Sequence, residues 1–414
     1  MSWVEYAIWW HVYPLGLCGT PIREPDTTPG PRLRRLFDWL DYAIELGCSG
    51  LLLGPIFESQ SHGYDSLDLF RIDPRLGGEA DFDELVEQCR SRGLRLVLDG
   101  VFSHVGAEYP GMAKALAEGP GAGAGGLFDI DWDAPGGPTP RVFEGHASLV
   151  RLNHASQETV DFVAKVMRHW LDRGIDGWRL DAAYSVAPEF WAQVTGQVRP
   201  HHPDCWLLGE VLHGDYVAFV ADSGIDSVTQ YELWKAIWSS INDRNFFELD
   251  HALRRHNQSL DAFLPNTFVG NHDVTRIASR VGADGAISAL AILMTVGGIP
   301  SVYYGDEQGY VGVKEECLGG DDDIRPVFPR SPSQFSPLGA HLLRAHQDLI
   351  GLRRRHSWLV RARTESLHLE NERLIYRSFA PDGSTHLDVE IDLAGSPAAI
   401  IRDDSGEELW SHHS

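Results

Sequence analysis

The chain has 414 residues, of which 43% are apolar and 23% charged, the composition of an ordinary globular protein. Its 59 acidic residues against 35 basic ones give a formal net charge of −24. That argues against nucleic acid or an anionic membrane as partner, since both need a basic face, and it is compatible with a neutral ligand such as a sugar. No apolar run reads as long enough to span a bilayer, and the start, Met1 to Tyr6, has neither a basic n-region nor a signal-like cleavage site. Cys18, Cys48, Cys89, Cys205 and Cys317 are scattered and lack metal-like spacing. They read as reduced thiols, and so as a cytoplasmic protein.

Strand-like apolar runs then alternate with amphipathic ones. Ala7 to Tyr13 reads as a first strand, and Pro31 to Leu46 as a helix stopped by Gly47. Gly50 to Gly54 is a second strand, Ala80 to Ser91 a helix, and Leu94 to Asp99 a third strand. Ser156 caps a helix running to Asp172, Gly177 to Asp181 is a fourth strand, and Pro188 to Val198 a helix. Trp206 to Glu210 is a fifth strand and Asp226 to Thr229 a weaker sixth, followed by helical sequence to about Asn257. Thr267 to Asn271 is the seventh strand, Ala283 to Val296 a helix, Pro300 to Tyr304 the eighth strand, and Leu338 to Arg355 a last helix.

Eight strands alternating with helices predict an α/β fold, a (β/α)8 TIM barrel. The chain is long enough for a barrel of ~250 residues plus smaller units. A doubly wound open sheet is disfavoured, because Tyr13-Pro14-Leu15-Gly16 offers no Gly-rich phosphate loop after the first strand. Two regions break the alternation. Val105 to Asn153 is rich in Gly and Pro (Gly119 to Gly126, Ala134 to Pro138) and reads as a short insert over the barrel mouth. After Arg355 the period changes to 2 (Leu367 to Glu370, Leu374 to Arg377, Leu387 to Ile391), which predicts a small C-terminal antiparallel β-domain. The expected division is a barrel over 1–104 and 154–356, an inserted domain over 105–153, and a β-domain over 357–414.

Barrel active sites lie at the carboxyl ends of the strands. Apolar runs that stop on Asp99, Asp181, Glu210 and Asp273 would place four carboxylates there, from the third, fourth, fifth and seventh strands. Arg179, two residues before Asp181, shares its strand face and would keep that aspartate ionised. A carboxyl pair of this kind can break a glycosidic bond with retention, one group attacking the anomeric carbon and the other protonating the leaving oxygen. His104 and His272 suit sugar hydroxyls. Arg325, just past the Asp321-Asp322-Asp323 turn, is placed to reach the same point. Trp132, Tyr184, Tyr231 and Trp234 are either outer sugar platforms or packing.

Several segments resemble the α-amylase family, glycoside hydrolase family 13. They are Asp99-Gly100-Val101-Phe102-Ser103-His104, Gly177-Trp178-Arg179-Leu180-Asp181, Gly209-Glu210 and Val269-Gly270-Asn271-His272-Asp273, supported by Gly54 to Glu58, His62-Gly63-Tyr64-Asp65, Ile72 to Gly77 and Tyr303 to Glu307. They follow the family's order across the barrel. The resemblance implies Asp181 as nucleophile, Glu210 as acid/base and Asp273 as transition-state stabiliser. It also implies that Arg179 orients Asp181, that Tyr64 stacks under the sugar, that His104 and His272 bind its hydroxyls, and that Asp99 is a structural member of the site.

The chain departs from the family in places. Ser103 stands where many amylases carry a calcium-ligating Asn, and Leu15 to Pro31 lacks closely spaced Asp or Asn, so neither metal nor cofactor is expected. Tyr184-Ser185 replaces a Lys-His pair of the leaving-group subsites, and Val211-Leu212-His213 lacks the usual aromatic. Ala182 resembles α-1,4-acting members. The implied function is a retaining glycoside hydrolase cleaving α-glucosidic bonds, α-1,4 in type, of short malto-oligosaccharides or related α-glucosides by double displacement. Its partner would be an α-linked glucose oligosaccharide or disaccharide. A transglycosidase or isomerase would use the same groups, and a non-catalytic sugar-binding relative is the reading from another class.

Overall fold

The computed structural model describes residues 3–22, 28–120 and 126–413. Met1-Ser2, part of the first loop (23–27) and the centre of the Gly-rich stretch (121–125) lie outside the described residues.

Eight parallel strands form the barrel: β1 (Trp9–Val12), β2 (Gly50–Leu53), β3 (Arg95–Gly100), β4 (Gly177–Leu180), β5 (Trp206–Gly209), β6 (Ser227–Val228), β7 (Asn266–Phe268) and β8 (Ile299–Tyr303). Their order is β6-β5-β4-β3-β2-β1-β8-β7. The seam is drawn together by a parallel bridge between Thr229 and Asn266 and by the Gln230 amide on the Asn266 carbonyl at 2.9 Å. Every residue of β1, β2, β4, β5, β7 and β8 is buried, which is why these segments read as continuous runs rather than alternating ones. Gly177 is required by contact: a Cβ there would lie 2.2 Å from the Trp206 carbonyl oxygen of β5.

The two-residue period sets the layers inside. Trp9, Leu52, Val97, Leu208 and Ile299 share a lower apolar layer with Trp206, and the Trp9 and Trp206 rings stack 5.4 Å apart. Two residues further along the same faces stand the buried polar groups His11, Asp99 and, from β4, Arg179. The change from apolar to polar is thus written into β1 and β3, and β4 adds its arginine at the same level, so the polar end points to the carboxyl side.

Around the barrel, Phe37–Leu46 stops at Gly47 (φ 99°), and Gln157–Asp172 is capped by Ser156, whose Oγ accepts from the Glu158 amide at 3.2 Å. Several expectations change. A hairpin, Phe57–Ser59 with Ser66–Ile72, follows β2. A helix, Tyr216–Ser223, follows β5, capped by Asp215. The helical sequence beyond β6 is two helices, Tyr231–Asn242 and Phe247–Leu260, parted where Arg244 turns left-handed (φ 52°). β7 ends at Phe268, so Asn271 to Asp273 occupy a loop beyond it. Ile277–Thr295 has the end-to-end length and apolarity of a bilayer-spanning helix, but it is two helices parted by a kink at Gly282 (φ 73°). Its residues from Gly285 to Thr295 are buried in the core, which accounts for their apolarity.

The insert leaves on His104–Gly106 and returns on His146–Arg151, antiparallel and in register from Gly106 with Leu149 to His104 with Arg151. Between them lie a helix, Pro110–Glu118, and the short strand Val142–Phe143, which pairs with the returning strand. Val105, Met112, Phe128, Ile130, Val150 and Leu152 give the insert a hydrophobic cluster of its own. At the other end of the chain, β9 (Arg363–Leu369), β10 (Arg373–Phe379), β11 (His386–Asp392), β12 (Ala398–Asp403) and β13 (Glu408–His412) form an antiparallel meander. It docks on Ile277–Thr295, with Ser378 Oγ on the Thr295 carbonyl at 2.6 Å.

Just past β8, Glu307 is buried, accepting from Tyr42 Oη at 3.0 Å and the Gly305 amide at 2.9 Å. Burial pushes its carboxyl from 4.5 up to about 7. The folded state therefore holds this proton more tightly than the unfolded one. The stability it contributes is full below pH 4.5 and is lost as pH rises through about 7. Glu307→Gln is expected to flatten this part of the pH dependence. The variant's urea midpoint should gain on the parent at pH 8 and not at pH 4.5, and equal gains at both would exclude the account.

Candidate active site

Arg179 organises the barrel mouth. It points up from β4, is 3% exposed, and meets four carboxylates. Nη1 bonds Asp99 Oδ2 at 2.5 Å and Asp181 Oδ1 at 3.2 Å. Nη2 lies 2.8 Å from Glu210 Oε1 and 3.8 Å from Asp273 Oδ2. Parallel register places Arg179 beside Asp99 of β3 and Leu208 of β5, so strand pairing alone brings the guanidinium between the acids of three neighbouring strands.

Glu210 is the most fully held. Its Oε1 also accepts from Tyr231 Oη at 3.1 Å, and its Oε2 from the Ala182 amide at 2.9 Å. That amide is aimed by a left-handed turn at Ala182 (φ 45°, ψ 36°) directly after Asp181, a conformation costing about 1–2 kcal/mol for a residue with a Cβ. Asn271 Nδ2 donates to Tyr231 Oη at 2.8 Å, and Asn271 Oδ1 accepts from the Asp273 amide at 2.9 Å, linking the β6 and β7 loops. Asp273 is further held by Arg325 Nη2 at 2.9 Å and lies 3.0 Å from His272 Nε2. Arg325 also donates from Nε to the His272 carbonyl at 2.9 Å and pairs with Asp321 at 3.1 Å. Asp321 is thus a member of the site's charge network, not a purely solvated turn residue, because the buried guanidinium of Arg325 needs a second counter-charge.

Three buried acids share one guanidinium, so the cluster retains a proton more readily than isolated acids would. Burial, then the charge of Glu210, push the Asp181 carboxyl well up, with Arg179 opposing. Burial lifts Asp99 to about 6, again against Arg179. Burial and Arg179 drive His272 well down, and burial takes His104 down to about 4, so both rings are neutral at pH 7.

The cleft above the cluster has a volume of about 460 Å³. Tyr64, His104, Asp181, Glu210, Asp273 and Arg325 line it. His272, expected to bind the sugar's hydroxyls, does not, and neither do Asp99 and Arg179, expected as a structural and an orienting member of the site. They lie beneath, at 0%, 1% and 3% exposure, because buried charges must turn toward each other before they can turn toward a ligand. His104 lines the wall with both nitrogens engaged: Nε2 donates to the Tyr64 carbonyl at 2.9 Å, and Nδ1 faces Ser103 Oγ at 2.8 Å. The Tyr64 ring stacks on His272 at 5.5 Å, its hydroxyl donating to Asp99 at 3.1 Å and touching His272 Nε2.

Tyr184 and Tyr231 line the cleft. Trp132 packs in the insert and Trp234 against Phe268. Sequence reasoning missed the bond from Tyr231 to Glu210, the linking role of Asn271, and the insert residues Phe143 and Glu144 in the cleft wall. Asn271 stood inside a quoted motif and could have been found there; the insert residues carried no signal. Among the described residues, no three His, Cys, Asp or Glu side chains gather as metal ligands would.

A (β/α)8 barrel with acids clustered on one arginine at the carboxyl ends of its strands is built as a glycosidase is built. Residues 30–121 and 142–334 match the family model of the α-amylase catalytic domain. The chain is 30% identical to a cyclomaltodextrinase of Geobacillus thermopakistaniensis (strain MAS1), over 96% of this chain and 71% of that one. It is 28% identical to neopullulanase 2 of Thermoactinomyces vulgaris, over 99% and 73%. Among solved structures, the cyclic α-maltosyl-(1→6)-maltose hydrolase of Arthrobacter globiformis superposes with a TM-score of 0.80 at 25% identity, over 94% of this chain and 91% of that one. The chain belongs to the α-amylase family, glycoside hydrolase family 13, and is a glycosidase.

Proposed function

We propose that the protein is a retaining hydrolase of α-glucosidic bonds, α-1,4 in type, in short malto-oligosaccharides. The observation that carries this is the grip of Arg179 on Asp99, Asp181 and Glu210 at the floor of one cleft, with Asp273 across it. Asp181 attacks the anomeric carbon while the Glu210 carboxyl gives its proton to the departing glycosidic oxygen, leaving a glycosyl ester on Asp181. Glu210 then takes a proton from water, whose oxygen attacks the same carbon and frees the Asp181 carboxylate with net retention. Asp273 and Arg325 border the ring, and Tyr64 floors it.

The roles need the shared proton on Glu210. The donors as arranged crowd Glu210, and its charge is part of what lifts Asp181. Once Glu210 is protonated that like charge is gone, and Asp181 ionises beside Arg179. Side chains alone carry these steps, so no cofactor belongs to the reading. A cytoplasmic setting is part of it too, supported by the unpaired state of all five cysteines, four of them buried.

Incubation with maltotriose tests the reading. Glucose and maltose as sole products, with the α-anomer appearing first by NMR, are the expected result. Oligosaccharides longer than the substrate would replace hydrolysis with transfer. No cleavage of maltotriose or of any α-1,1, α-1,3, α-1,4 or α-1,6 glucoside would sink it.

A further inference from the structure

The turn of the insert's outer hairpin reaches the cleft. Val142–Phe143 pairs with the returning strand, and the turn between them is Glu144-Gly145, both with positive φ (47° and 83°). Glycine accepts that conformation freely. A glutamate does so at a cost, and non-glycine residues held there are a pointer to function. Two side chains fasten this turn to the site. The Phe143 ring stacks on His104 at 4.4 Å, and Glu144 Oε1 accepts from Tyr184 Oη at 2.7 Å.

Tyr184 is in turn bound to the proposed acid. Its amide donates to the Glu210 carbonyl at 3.1 Å, and its ring lies 6.2 Å from His213 of the next loop. The acid stands beside the leaving-group oxygen, so Tyr184 and Glu144 stand on the leaving-group side of the bond that breaks. All of Phe143, Glu144, Tyr184 and Glu210 line the one cleft.

We infer that Tyr184 and Glu144 are specificity-determining residues: their hydrogen bond narrows the leaving-group side and sets how many sugar units can depart from Glu210. This rests on the hydrolase reading above. A glucose or maltose leaving group fits within the bridge, whereas a longer one must open it. Glu144 is exposed, so the cost is that of one ordinary hydrogen bond, about 1 kcal/mol, or about five-fold in kcat/KM.

The experiment compares kcat/KM for maltoheptaose with that for maltotriose in the full chain. Tyr184→Phe keeps the ring and removes the donor, Glu144→Ala removes the acceptor, and Glu144→Gln restores one. The ratio of the two constants is expected to rise about five-fold in Tyr184→Phe and in Glu144→Ala, and to return toward the parent value in Glu144→Gln. An unmoved ratio in an active enzyme overturns the inference alone, as does a Glu144→Gln ratio equal to that of Glu144→Ala. Inactivity of the unsubstituted enzyme on both sugars overturns the substrate reading and this inference with it.

Discussion

Asp181→Ala should lower kcat on maltotriose by about 10⁴-fold or more, the scale expected when a covalent nucleophile is removed, while the folded protein survives. Asp181 has one strong partner, Arg179 at 3.2 Å, and that arginine keeps Asp99 and Glu210 when the side chain is cut back. A near-ultraviolet circular dichroism spectrum and a urea midpoint close to the parent's would show that the loss is chemical. Glu210→Gln separates the two roles. Its effect should be severe on maltotriose and milder on an aryl α-glucoside whose leaving group needs no proton. Equal losses on both substrates would contradict the assignment of Glu210 as acid, and residual activity of Asp181→Ala within tenfold of the parent would remove Asp181 from the mechanism.

Arg179→Met is the second large expectation, and it concerns stability as well as rate. Removing one member of a buried ionic group costs about 3–5 kcal/mol, because the partners stay buried without compensation. Asp99, 1% exposed, bears most of this. Its carboxyl already sits near 6 in spite of the guanidinium, and without Arg179 it rises further. A raised folded-state value means that stability is present at low pH and is lost as pH climbs through that value. The deficit of Arg179→Met in urea should therefore be greater at pH 8 than at pH 5. The double variant Arg179→Met/Asp99→Asn should recover part of it at pH 8. A pH-independent deficit would mean that packing around the side chain, and not charge, is what was lost.

The barrel was legible because its signals are local. Runs such as Gly50 to Leu53 and Trp206 to Gly209 are apolar on both faces, and each is bounded by turn residues. Asp99 ends such a run, while Asp181 and Glu210 come directly after theirs, so their placement at the mouth could be read from position. Asp273 was a different case. Its strand stops at Phe268, and what holds the aspartate's loop is the bond its amide donates to Asn271 Oδ1, which no periodicity announces. Long-range bonds were the least visible. Nothing near Tyr231 says that its hydroxyl meets Glu210, and nothing near Glu144 says that it meets Tyr184 across 40 residues of chain. The retreat of His272 beneath the cleft was hidden for the same reason. A polar group in the sequence suggests contact with a ligand, whereas burial in the fold makes polar groups satisfy one another first.

The insert departs and returns on adjacent antiparallel strands, His104–Gly106 beside His146–Arg151, and packs on its own apolar cluster. The barrel is therefore joined to it chiefly through one ladder, and beyond that at a few side-chain contacts, among them Phe143 on His104 and Glu144 on Tyr184. Closing a longer loop over the same two ends costs only slowly more. The chain between residues 107 and 141 can thus be exchanged, shortened or lengthened with little charge to barrel folding. In such an enzyme, the appetite for different sugars can drift from lineage to lineage, or be redesigned, while the inherited machinery of bond breaking stays where it was.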